Sequence, residues 1–130
     1  MMMLSFFLAC DGGTDTADSS SNTAPISLRL LSPQEGDIVC GTPLVIETEV
    51  ENFTLTNENI ENAPSNVGHL HVYLNGQEVV QTDQEHVDVS SVSDALYQLK
   101  VDLALSNHQA LNPYVGSLVY ITVDNALCTE

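Results

Sequence analysis

The stretch LYQLKVDLAL, residues 96–105, sets Leu99, Val101, Leu103 and Leu105 on one face and Lys100 and Asp102 on the other. Alternation at period two marks a strand with one side in a core and the other toward water. It returns at short intervals in ISLRLLS (26–32), PLVIETEVENF (43–53), GHLHVYLNGQEVV (68–80), HVDVSSV (86–92) and SLVYITVDN (117–125). Pro33 and Gly36 punctuate a turn after the first run, and Asn75-Gly76 inside the third is a two-residue hairpin signal. No segment sustains a helical period, so β-α-β architectures are excluded. About seven short strands with turns between them predict an all-β chain, an immunoglobulin-like antiparallel β-sandwich over residues 26–130.

The 130 residues suffice for one domain with a real core and not for two. With no Trp and few aromatics, Leu, Val and Ile must supply that core. Against 18 acidic residues stand Arg29 and Lys100 alone. Such a surface repels phosphate backbones, which excludes a nucleic-acid partner. A calcium loop of the D-x-[DN]-x-[DN]-G type is absent, so the acids read as a solvated surface.

The chain opens MMMLSFFLACDGGTDTADSSSNTAP. Residues 1–9 are almost wholly apolar but far short of the roughly 20 that a helix needs to cross a bilayer. Phe7-Leu8-Ala9-Cys10 resembles the lipobox of bacterial lipoproteins, in which the cysteine becomes the lipidated first residue of the mature chain. Phe7 stands where Leu is usual, and the basic opening of a secretion signal is missing, which leaves open a start upstream of Met1. Residues 11–25 are Asp, Gly, Thr, Ser, Asn and Ala up to Pro25, a composition that reads as a disordered, flexible tether. The expected layout is a signal over 1–9, lipidated Cys10 and tether over 10–25, then the domain. The expected location is the bacterial cell envelope, lipid-anchored at a periplasmic or outer-membrane surface.

Setting Cys10 aside leaves Cys40 and Cys128, an even pair in an exported domain, which predicts a disulfide. It would tie the last strand back to the first hairpin. The segment TLTNENIENAPSNV (54–67) reads as one long polar connection leading into Gly68-His69. Loops of that length more often carry function than not.

On the strand 68–75, period two puts Leu70, Val72 and Leu74 on the core face and His69, His71 and Tyr73 on the other. Two imidazoles at i and i+2 sit close enough to ligate one cation, and neutral imidazole suits copper or zinc. If strands 68–75 and 96–105 run antiparallel, His108 in SNHQALNP becomes the third ligand. Three imidazoles leave an open coordination position. Tyr73 and Asn107 would then hold the rings in orientation, and the surrounding acids would raise the histidine pKa values. His86 lies beyond the hairpin and is expected in solvent. The competing reading of the same residues is a polar strand face that binds no metal.

GHLHVYLNG followed by SNHQALNP is similar to a family of exported bacterial β-sandwich domains. Their pattern is Gly-His-x-His-hydrophobic-Tyr-hydrophobic-Asp-Gly and, later, Asn-Asp-His-x-Pro-Leu. The similarity spans roughly residues 26–123, and the matching positions are Gly68, His69, His71, Tyr73, Gly76, Asn107 and His108. It implies a tethered lipoprotein domain and brings no assigned activity with it. Asn75 stands where the pattern has Asp, and Tyr97 where a further His often begins the penultimate strand.

Enzyme readings fail on counting. Copper–zinc superoxide dismutases need six histidines, and this chain has four. Cupins need a glutamate three or four residues after His-x-His, and Glu78 stands too far on. No G-x-S-x-G nucleophile motif occurs. Two function classes stay open: a metal-binding envelope domain, and a module that contacts an envelope protein or polysaccharide without metal. The anchor gives the first prediction. Cys10→Ala should move the protein from the membrane fraction to the soluble one, and identical fractionation of variant and parent would refute the lipid anchor.

Overall fold

The computed structural model describes residues 25–62 and 64–128. The expected signal, Cys10 and all of the tether before Pro25 lie outside the described residues. Among the described residues nine strands run in chain order: β1 (Ser27–Ser32), β2 (Ile38–Val39), β3 (Leu44–Glu51), β4 (Thr54–Leu55), β5 (Val67–Leu74), β6 (Gln77–Thr82), β7 (His86–Val89), β8 (Ala95–Leu105) and β9 (Gly116–Val123). One 3-10 turn, Asn125–Leu127, follows. The seven strands legible as alternation are all present. The two additional strands are two residues each, too short to show any period.

Two sheets face each other. One has the order β1-β3-β7, and the other β2-β9-β8-β5-β4 with β6 also paired to β5. The long pairings are antiparallel, and only the two-residue strands join in parallel, β2 to β9 and β4 to β5. This split of strands between two sheets is the immunoglobulin-like arrangement. Leu44, Ile46 and Val87 from the small sheet meet Leu70, Val72 and Leu99 from the large one, each nearly or wholly buried. A fully buried side chain of this size contributes roughly 1.5–3 kcal/mol relative to exposure, so these residues dominate the stability of the fold.

The stretch 54–67 is not a free loop. The Thr54 amide donates to the Asn66 carbonyl at 2.8 Å and the Thr56 amide to the Gly68 carbonyl at 2.6 Å. The start of the connection is thereby fastened to the residues that open β5. A side chain at Gly68 would run into the Ala104 carbonyl oxygen of β8, so only glycine lets the two strands come this close.

Cys40, just after β2, is bonded to Cys128, just after the 3-10 turn, across 88 residues of sequence. Asn125 reinforces the same corner: its Nδ2 donates to the Val92 carbonyl and its Oδ1 accepts from the Gly41 amide, each at 3.0 Å. Closing so long a loop restricts the unfolded chain. Replacing both cysteines by serine should therefore lower the unfolding free energy by roughly 2–5 kcal/mol in a urea titration, and an unchanged midpoint would show that the bridge does not brace the fold.

Candidate metal centre

Strand β5 runs through the large sheet with β8 on one side, and their register fixes where each histidine can be. Gly68 pairs with Leu105, His69 with Ala104 and His71 with Asp102. The even positions of β5 enter the core, while the odd positions project from the opposite face of the sheet. That face is not open to water at its upper end: His69 is 1% exposed and His71 8%.

His108 reaches the same place from the turn after β8. The His108 amide donates to the Leu105 carbonyl at 2.7 Å, and the Leu105 amide donates to the Gln109 carbonyl at 2.8 Å. His108 itself has φ +72°, a left-handed conformation that histidine enters more readily than most residues other than glycine. The turn folds back over the sheet and brings the third ring to the first two. Ring centroids lie 4.8 Å apart for His69–His71, 4.9 Å for His69–His108 and 6.1 Å for His71–His108. One nitrogen from each ring falls within 4.8 Å of the others.

Tyr73 and Asn107 act at different levels. Tyr73 Oη lies 3.1 Å from His71 Nδ1 and so engages the ring directly. Asn107 Oδ1 accepts from the Gln109 amide at 3.1 Å, which fastens the turn carrying His108. His86 is remote from all of this, on β7 of the small sheet. It is exposed as expected, with Nδ1 2.7 Å from Glu47 and Nε2 3.0 Å from Asp88.

The neighbours that sequence reasoning left out are carboxylates. Glu78 Oε1 stands 3.8 Å from His71 Nδ1, because the Asn75-Gly76 turn folds β6 back so that Glu78 pairs with Tyr73. Counting residues along one strand hides a neighbour that arrives from the next. Asp102, read as a solvent-facing residue, is buried beneath Tyr114, whose hydroxyl donates to it at 2.9 Å. Burial holds the Asp102 carboxyl above the usual carboxylate range despite that hydrogen bond. Lys100 completes the row, its Nζ 4.5 Å from the centre of the Tyr73 ring.

Among the described residues, three buried nitrogens in this cluster have no hydrogen-bond partner: Nδ1 and Nε2 of His69 and Nε2 of His71. Buried polar atoms are nearly always satisfied, and leaving one unpaired costs about 1–3 kcal/mol. The ring of His71 has Nδ1 beside Tyr73 Oη; when Nδ1 carries the proton and donates it to that oxygen, Nε2 offers the lone pair a metal ligand needs. Burial, and next the adjoining His71 and His108 rings, push the His69 pKa below the ordinary histidine value. The expectation that nearby acids raise it fails here, because desolvation outweighs the field of Glu78. His69 therefore stays neutral, and able to ligate, to lower pH than a free imidazole.

No protein-family model matches the chain, and no curated protein sequence matches it. Among solved structures it is similar to the fibronectin(III)-like modules of Clostridium thermocellum CbhA, at 12% identity over 78% of this chain and 99% of that one, with a TM-score of 0.49. It is also similar to the PKD domain of human KIAA0319, at 15% identity over 85% of this chain and 92% of that one, with a TM-score of 0.41. Strand order, rather than these distant likenesses, carries the fold assignment.

An unsatisfied buried imidazole makes a stability prediction whose sign separates a ligand from a structural residue. His69→Leu should raise the unfolding free energy of the metal-free protein by about 1–2 kcal/mol, since it removes two unpaired nitrogens and keeps the volume. Because the folded ring binds its proton less tightly than the unfolded one, the parent should be at full stability above about pH 6.5 and weaken as pH falls below it. The variant should lose that acid-side weakening. Destabilisation by His69→Leu in chemical denaturation would instead mark His69 as a structural residue.

Proposed function

We propose that this protein is a lipid-anchored domain of the bacterial envelope that binds copper or zinc reversibly through His69, His71 and His108. The observation that carries the reading is the convergence of three imidazoles, two of which, His69 and His71, have buried ring nitrogens with no partner among the described residues. At the two buried positions, 69 and 71, an apolar residue would cost less than an imidazole with an unpaired nitrogen. A metal would satisfy all three rings at once, and a set of three nitrogens with a free position suits zinc or copper. Tyr73 and Glu78 would hold His71 in the ligating tautomer. The resemblance of Phe7-Leu8-Ala9-Cys10 to a lipobox supports the anchoring part, and the reading makes the domain a binding protein rather than an enzyme.

A second reading, a contact module for an envelope protein or polysaccharide, is favoured by the row Leu96, Leu118 and Tyr120. These stand 67%, 45% and 46% exposed on the same outer face of the large sheet. Calorimetric titration of chelator-stripped protein with copper(II) and with zinc(II) separates the two. One metal ion per chain should bind at neutral pH, binding should weaken below about pH 6 as protons compete, and His71→Ala should abolish it. Heat no larger than dilution for both metals would leave the contact module standing.

A further inference from the structure

The three histidines are unequal, and the inequality bears on how a metal would leave. His69 and His71 are buried on the same strand, between β8 on one side and β6 and β4 on the other. His108 is exposed and sits on a turn. In a tetrahedral site with metal–nitrogen bonds of about 2.0–2.1 Å, ligand nitrogens stand roughly 3.3–3.4 Å apart. The nitrogens here span up to 4.8 Å, so the set must close further to grip a cation. The widest ring separation is His71–His108, 6.1 Å. Closure must come from the ring with room to move, which is His108.

We propose, building on the metal-binding reading, that His69 and His71 are a fixed pair and His108 is the exchangeable ligand through which the ion is passed to an acceptor protein. The acceptor offers a side-chain donor of the same chemical class, an imidazole, from the solvent side. Its donor forms a bond to the ion as the bond to His108 breaks. The ion keeps its charge, no electron moves, and the freed imidazole nitrogen returns to hydrogen bonding with water. Entry from the other side is closed, since the rings of His69 and His71 lie on the sheet with Leu70 and Val72 behind them in the core. The ion is then cargo rather than a resident cofactor, and the acceptor is another metal-binding protein.

The test loads the purified full-length protein with whichever of copper(II) or zinc(II) it binds, then mixes it rapidly with increasing concentrations of a chromogenic chelator. Associative exchange predicts a release rate that climbs with chelator concentration. His108→Asn is the informative variant, because asparagine also tolerates the left-handed turn. It should still bind the ion through the two buried imidazoles, with affinity weakened by about tenfold or more, and release it about tenfold faster or more. His69→Ala and His71→Ala should show no binding at all. A parent release rate independent of chelator concentration overturns the proposal, as does a His108→Asn variant that loses binding as completely as His71→Ala. Failure of the parent to bind either ion is a different result, which removes the metal site itself.

Discussion

The antiparallel register of β5 against β8 governs both the interior and the candidate site. With His69 opposite Ala104 and His71 opposite Asp102, the intervening Leu70 and Val72 fall opposite Leu103 and Val101 in the core. Alternate residues of a single strand thus hold the sandwich together and present the imidazoles. A slip of one residue would exchange the two sets, sending histidines into the core and leucines to the outer face. Gly68 guards that register at its tightest point, where a side chain would meet the Ala104 carbonyl. The fold and the histidine cluster therefore cannot vary independently.

Much of this was legible in the sequence because alternation is a local property. The faces of β5 and β8 followed from residues two apart, and the hairpin between β5 and β6 from Asn75-Gly76. Cysteine arithmetic led to the Cys40–Cys128 bridge, which the structure contains. What stayed hidden depends on contacts across strands. Asp102 reads as an outward residue, and becomes buried only because Tyr114 returns over it from a turn 12 residues further on. Glu78 lies near His71 because the Asn75-Gly76 hairpin sets it opposite Tyr73 on the neighbouring strand β6. The two-residue strands owe their existence to parallel pairing with β9 and β5, which leaves no trace in composition.

The histidines also illustrate why burial changes the meaning of a residue. His86, with both nitrogens near carboxylates and its side chain in solvent, is a cross-strand pair of little consequence for stability. Its pKa is raised, first by the hydrogen bond to Glu47 and then by that carboxylate's charge. His69 experiences the opposite shift, because no acceptor replaces the water it loses. Two residues of the same type thus differ in the direction of their proton affinity. Only the one whose nitrogens lack partners is suited to receive a cation.

The acidity of the chain divides between two tasks in the same way. At physiological ionic strength charges are screened beyond about 8 Å, so most of the 18 carboxylates have no grip on an ion already at the cluster. Their collective field acts earlier, raising the local concentration of cations near the surface and the rate of encounter. Under the proposed reading, affinity at the site would fall instead to the nearest groups, Glu78 beside His71 and the buried Asp102 opposite it in register. If the cluster binds a cation as proposed, salt should slow uptake more than it weakens the bound state, because the distant charges are screened while Asp102 is buried beneath Tyr114.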